Sequence, residues 1–213
     1  MNLTDQLSER RNNSAKVIPT DKRAIMQKST EDLKSQNLSK KALTTGEILP
    51  SFTLKNIEGN PVSLEDFQSQ YLVVAFYRGG WCPYCNMELK ALQSILPELT
   101  ELNGELVAIT PETPDNSLTT SEKNELTFSV VSDLNNAYAK SLGLVFQLPK
   151  NLQGVYNDFG IDVAKHNGNN DFELPMPATY ILNKDREVIY SFVPEDYTER
   201  LEPETILEII KKQ

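Results

Sequence analysis

Histidine occurs once in this chain and cysteine only twice, at Cys82 and Cys85. A structural zinc site takes four nitrogen or sulfur ligands. With no second cysteine pair and His166 alone, that set is missing, and no metal or other cofactor is expected. Long apolar runs are also missing, since no stretch approaches the ~18 residues of a membrane helix. The N-terminal MNLTDQLSERRNNS has no apolar core of a secretory signal. Positive charge is scarce as well: 21 Lys/Arg stand against 30 Asp/Glu, a net of −9. Electrostatic capture of nucleic acid or of an anionic membrane is therefore disfavoured. These absences point to a cytoplasmic, reducing setting, where two cysteines three apart are catalytic or metal-binding more often than a structural disulfide.

What charge there is lies unevenly. Residues 1–45 hold nine Lys/Arg against five Asp/Glu, a net of +4, and residues 46–213 hold twelve against twenty-five, a net of −13. A boundary near Gly46 follows. The first part is polar, with sparse apolar positions such as Leu3, Leu7, Ile25, Met26, Leu33 and Leu38, too few for a core of its own. Pro19 splits it into two expected helices, with Thr20-Asp21 as the cap of the second. A helical extension lying on the main domain or on a second subunit is expected.

In residues 46–213, Phe52–Leu54 and Pro61–Leu64 read as a hairpin around Glu58-Gly59-Asn60. Tyr71–Tyr77, an apolar run without polar alternation, reads as a strand buried on both faces. Leu89, Leu92, Leu96 and Leu99 then mark one face of a helix, with Pro97 expected to kink it. Strands are expected over 105–110 and 126–131, with a helix over 137–142. Residues 147–172, with their Gly and Asn tract, read as a long insertion loop with short helical pieces. Residues 178–182 and 188–192 form an antiparallel hairpin, and Pro203 opens a closing helix. The order β-β-β-α-β-β-α-β-β-α predicts an α/β fold of three layers around a mixed central sheet.

The chemistry gathers where the buried strand meets the long helix, in Arg78-Gly-Gly-Trp-Cys-Pro-Tyr-Cys85. A cysteine reacts as thiolate, and its pKa of about 8.5 falls at a helix N-terminus or within Cys-x-x-Cys. Spacing of three puts both sulfurs on one helix face. Pro83 suits the first turn, where its missing N–H costs nothing. Arg78 offers a cation, and Trp81 a wall for the sulfur and a flat surface for a partner. Inert buried thiols are the bland alternative, but they leave the glycines and tryptophan at this joint without a reason. Met176-Pro177 before the strand at Ala178 is a second candidate, with a cis proline as the expected form and the exposed backbone edge as a hold for substrate.

From Gly46 onward the chain resembles the peroxiredoxin-like branch of the alkyl hydroperoxide reductase/thiol-specific antioxidant (AhpC/TSA) group, with its thioredoxin-like fold. The resemblance rests on GEILPSFTLKNIEGNPVSL as opening hairpin, FYRGGWCPYC as active-site segment and PATYILNKDREVIYSFV as the proline strand with its hairpin. It implies that Cys85 holds the place of the peroxidatic cysteine. Cys82 then stands for a threonine or serine, Arg78 for a proline, and Pro177 for the arginine that helps bind peroxide. Three peroxide-activating groups are thus missing, and a thioredoxin's Trp-Cys-x-x-Cys and facing proline stand instead.

Without such donors a thiolate attacks peroxide poorly, each donor being worth about 2.7–4 kcal/mol in other enzymes. Disulfide exchange needs only a reactive sulfur, a resolving thiol and a surface to hold the partner. The leading expectation is a thiol–disulfide oxidoreductase in antioxidant defence, Cys82 attacking and Cys85 resolving. The alternative is a hydroperoxide reductase with Cys85 peroxidatic, Cys82 resolving and a thioredoxin- or glutathione-type reductant. A third is a non-enzymatic binding or redox-sensing module. A homodimer is expected only by analogy with the fold.

Overall fold

The computed structural model describes residues 1–213. Helices α1 (Leu3–Val17) and α2 (Thr20–Ser35) come first, with Pro19 at their junction and Thr20 inside α2 rather than capping it. The hairpin β1 (Thr53–Asn56) and β2 (Pro61–Ser63) turns through Gly59 at φ 83°. The buried strand β3 (Tyr71–Phe76) feeds α3 (Pro83–Glu101), whose helix continues across the exposed Pro97. Then come β4 (Gly104–Thr110), α4 (Pro114–Asn124), β5 (Ser129–Ser132) and α5 (Ala137–Ser141). Residues from Val145 form β6 (Val145–Gln147), α6 (Lys150–Asp158), α7 (Val163–Asn167) and β7 (Glu173–Pro175). The chain closes with β8 (Ala178–Asn183), β9 (Val188–Phe192) and α8 (Pro203–Ile210).

Seven strands make one mixed sheet in the order β2-β1-β5-β4-β3-β8-β9. At its centre β3 runs parallel to β4 and antiparallel to β8, so it has no free edge. This is why its sequence shows no polar alternation. Val73, Ala75 and Tyr77 face one core with Leu89, Leu92 and Leu99 of α3 and Ile206 of α8. Leu72, Val74 and Phe76 face the other, with Leu49, Phe52, Tyr138 and Leu182. The expected mixed sheet with helices on both faces is the observed architecture.

Two elements differ from expectation. The helix α4 is absent from the sequence reading because its buried face is Ser117, Thr120, Ser121 and Asn124, which carries no apolar stripe. The expected insertion loop is instead built: β6 and β7 pair, and α6 and α7 close a small core of Leu148, Leu152, Val155, Tyr156, Val163 and Leu174.

Helices α1 and α2 lie on this body. Leu3 and Leu7 enter the α3–α8 core, and Leu33 the other. The first backbone N–H groups of α1 donate to the Glu202 carboxylate, Leu3 at 2.8 Å and Thr4 at 2.9 Å. An anion there satisfies orphan donors and the positive end of the helix together. Lys22 pairs with Asp158 at 2.8 Å and Lys34 with Asp196 at 3.1 Å. No helix is long and apolar enough to cross a membrane.

Candidate active site

The cysteines sit where β3 hands over to α3. Cys82 is the N-cap of α3, Pro83 is its first residue and Cys85 stands in its first turn. The approach is shaped by two glycines. Gly79 has φ +148°, and a side chain there would meet the Trp81 ring; at Gly80 an added carbon would run into Thr120. The Gly80 N–H donates to Glu112 Oε2 at 2.9 Å, while the Gly80 carbonyl accepts from Asn86 Nδ2 at 2.7 Å. Glu112, fully buried, is held in turn by His166 Nδ1 at 2.8 Å. A carboxylate on the β4–α4 loop and a histidine on α7 therefore fix the loop that presents the sulfurs. The lone histidine is taken up by this contact, and no group of three His, Cys, Asp or Glu side chains gathers elsewhere.

The two sulfurs are not equivalent. Both are free thiols. Cys82 is 2% exposed and forms part of the wall of a cleft of about 450 Å³, together with Trp81, Tyr84, Tyr156 and Tyr197; Cys85 has no exposure and lies behind it. Hydrogen bonding from the Cys85 thiol, with the Arg78 and Arg200 charges, outweighs burial and brings Cys82 down from the usual thiol range. Burial, and the proton it shares toward Cys82, push the Cys85 thiol well up. The two thiols thus differ in both access and acidity, Cys82 being the more reactive as thiolate.

Arg78 turns inward. It is 1% exposed, has no carboxylate partner, and its Nη2 donates to the Tyr156 hydroxyl. Its guanidinium lies over three rings, 4.6 Å from the Tyr197 centroid, 5.0 Å from Trp81 and 5.7 Å from Tyr156. Aromatic faces attract a cation, but a buried charge is costly without an opposite charge nearby. The Arg78 charge in turn favours Cys82 as a thiolate. Trp81 packs on Tyr156 at 5.4 Å.

Met176 and Pro177 need correction. The chain contains no cis peptide bond, so the proline before β8 is trans. Nor do they offer a free edge. Met176 is fully buried and its N–H donates to the Leu144 carbonyl at 2.8 Å. Pro177 is buried beside Arg78 in a hollow that Met26 and Leu33 of α2 also line, outside the Cys82 cleft. The proline thus faces a hollow walled by the protein's own α2.

The three family positions remain filled by Cys82, Arg78 and Pro177, but a donor from elsewhere in the chain faces Cys85. An Arg200 Nη2 lies 3.2 Å from the Cys85 sulfur, and its Nε pairs with Glu88. Arg200 sits on the segment before α8, and no spacing in the sequence ties it to Cys85. Glu88 left a trace: it is an acidic residue one turn beyond Cys85, on the face that carries the apolar stripe. Burial raises its carboxyl to about 7, the Arg200 charge opposing that rise. Tyr156 and Tyr197, from the insertion and the C-terminal segment, are further site residues the sequence did not single out.

Residues 45–191 match the AhpC/TSA family. The chain is similar to Peroxiredoxin Q, chloroplastic, of Sedum lineare, 28% identical over 159 residues that cover 73% of this chain and 74% of that protein. It is 29% identical over 102 residues to Peroxiredoxin Bcp of Escherichia coli (strain K12), covering 48% of this chain and 65% of that protein. Among solved structures, Peroxidoxin BcpB from Mycobacterium tuberculosis shares the fold with a TM-score of 0.63 at 18% identity, over 80% of this chain and 97% of that one. The match to the family spans the strand, the cysteine helix and the proline strand described above, and the chain belongs to the AhpC/TSA family.

Proposed function

We propose that the chain is a thiol-dependent oxidoreductase working by dithiol–disulfide exchange, with Cys82 attacking and Cys85 resolving. One observation carries this: Cys82 is the sulfur in the cleft wall and the one whose thiolate is favoured, while Cys85 is enclosed behind it. The Cys82 thiolate attacks one sulfur of a substrate disulfide, and the other sulfur leaves as thiolate and takes up a proton. Cys85 then gives up its proton and attacks the Cys82 sulfur, releasing the second substrate thiolate. Two electrons pass to the substrate, and a Cys82–Cys85 disulfide remains. Arg200 lies where it stabilises Cys85 as the thiolate forms.

A second reading, hydroperoxide reduction at Cys85, is favoured by the same Arg200 contact, since it supplies a donor the sequence lacks, and by the peroxiredoxin names of the relatives. Cys85 would become a sulfenic acid as the peroxide O–O bond breaks and an alcohol or water leaves. Cys82 would displace hydroxide to close the disulfide, and a thioredoxin-type reductant would reopen it. Cys82→Ser and Cys85→Ser variants, assayed with an insulin-type disulfide and with hydrogen peroxide, separate the two. Exchange should be lost with Cys82→Ser, and Cys85→Ser should accumulate a mixed disulfide on Cys82. Peroxide turnover that survives Cys82→Ser with external thiol, but not Cys85→Ser, decides for the second reading.

A further inference from the structure

The cleft that reaches Cys82 is walled by the N-terminal extension. Ser14, Val17 and Ile18 from the end of α1 and Met26 of α2 complete it opposite Trp81 and Tyr84, and Arg10 is the only charged residue in its lining. A second hollow of about 410 Å³ continues it between α1 and α2, sharing Ser14, Ile18, Met26, Tyr84 and Tyr197 and bringing Arg11 to the rim. Neither Arg10 nor Arg11 forms an ion pair. On a chain of net −9, two guanidiniums at the mouth of the redox cleft have found no carboxylate of their own. Of the acids near them, Asp196 pairs with Lys34 at 3.1 Å, Glu31 accepts from the neutral Gln27 amide at 2.8 Å, and Glu199 shares a further hollow with Arg11 without pairing with it.

Size, exposure and charge then agree. A space of some hundreds of Å³ suits a small molecule. Cys82 is 2% exposed in the wall of that space, which admits a small thiol more readily than the surface of a folded protein. Unpaired surface cations favour an anionic ligand and speed its approach. We infer that the oxidised Cys82–Cys85 pair is re-reduced by a small, carboxylate-bearing thiol that enters this cleft with its carboxylates at Arg10 and Arg11. The inference rests on the dithiol reading above. The thiolate of the small molecule attacks the Cys82 sulfur, the S–S bond breaks, and Cys85 leaves as a thiolate beside Arg200. A second molecule of the thiol attacks the bound one at its sulfur. A small disulfide is released, Cys82 leaves as thiolate, and the two thiols supply both electrons and both protons.

The test oxidises the full-length protein and follows its re-reduction through Trp81, the only tryptophan. Glutathione and its diethyl ester serve as probes, with rates expressed per thiolate. Glutathione should be faster by about fivefold to tenfold at low salt, the scale of two partly exposed charge pairs. The ratio should shrink once ionic strength passes ~0.15 M. Arg10→Gln/Arg11→Gln should bring it close to one, and Arg10→Lys/Arg11→Lys should keep most of it. Equal rates for acid and ester on the unmodified protein, or a preference unchanged in the Gln variant, would overturn the inference while exchange itself stands. Disulfide turnover that persists in Cys82→Ser would instead sink the dithiol reading and this inference with it.

Discussion

Arg200 and Cys85 are 115 positions apart, yet a guanidinium nitrogen lies 3.2 Å from the sulfur. The same guanidinium pairs with Glu88, one helical turn beyond Cys85. One buried cation thus spans a carboxylate and a thiol. With Glu88 ionised and Cys85 protonated the charges balance, but a Cys85 thiolate would set two anions against one cation. The Cys85 sulfur accordingly adds to the upward push that burial gives Glu88. Cys85, the resolving cysteine of the proposed exchange, sits in a compartment whose charge is already spent, while Cys82 lines a cleft and is favoured as thiolate by Arg78.

Removing Arg200 should uncover this balance. Above pH 7, where Glu88 is ionised beside Arg200, Arg200→Met leaves a buried carboxylate unpaired, which costs about 3–5 kcal/mol. Urea unfolding should show that loss, and Glu88→Leu/Arg200→Met should recover most of it, since an apolar pair of similar volume replaces a buried ion pair at little cost. The resolving step should be slow in both variants, seen as a longer-lived mixed disulfide on Cys82. An Arg200→Met protein within 1 kcal/mol of the unmodified one would contradict the account.

How much of this was legible in the sequence follows from the range of each interaction. The strand Tyr71–Phe76, the helix opening at Pro83 and the pairing of Cys82 with Cys85 are local, and periodicity and capping chemistry display them. The α4 helix hid because polar side chains bury its face. The insertion hid because Gly154 and Gly160 and its Asn tract punctuate two short helices whose small core closes only against Trp81, Ile25 and Met26. Arg200, Tyr156 and Tyr197 reach the sulfurs from distant segments, and only the fold brings them there. The Met176-Pro177 reading failed for the converse reason. A proline before a buried strand is a local signal, but the Leu144 carbonyl, 32 residues upstream, takes the Met176 N–H and leaves no free edge.

The loop that presents the sulfurs should be intolerant at Gly80. A Cβ there would collide with the Thr120 hydroxyl and lie 2.9 Å from Thr120 Cβ, a carbon fixed to the α4 backbone. Overpacking of this kind costs about 1–3 kcal/mol. Gly80→Ala should lower stability by that amount and slow Cys82 alkylation, as the Gly80–Glu112 hydrogen bond is displaced. Thr120→Ala removes the colliding oxygen, so Gly80→Ala/Thr120→Ala should be more stable than Gly80→Ala alone. Strict additivity in that double-mutant cycle would show that the two residues do not meet.

Cys82 should titrate low. Alkylation by iodoacetamide should rise with pH through a midpoint near about 6, where a free thiol waits for about 8.5. Arg78→Met removes a cation that favours the thiolate and should move the midpoint upward. It should not restore the free value, because the Cys85 thiol, the largest cause of the lowering, stays in place. An unmoved midpoint in Arg78→Met would mean that the ringed guanidinium does not act on the sulfur.

Glu88 should make stability fall as pH rises through neutrality. Its carboxyl is held up to about 7 in the fold, chiefly by burial, against about 4.3 in an unfolded chain. Between those values the folded state binds a proton that the unfolded state has released. The stability that goes with that proton is complete below pH 4 and lost as pH climbs through about 7. At 1.36 kcal/mol per pKa unit the loss is about 4 kcal/mol at most, and Arg200 is already included in it as the opposing charge. Glu88→Gln cannot release a proton, so its stability curve from pH 5 to 8 should be flatter than the unmodified protein's, as measured by urea unfolding at fixed ionic strength. If the two curves run parallel across that window, Glu88 is ionised throughout, and the upward shift assigned to its burial is wrong.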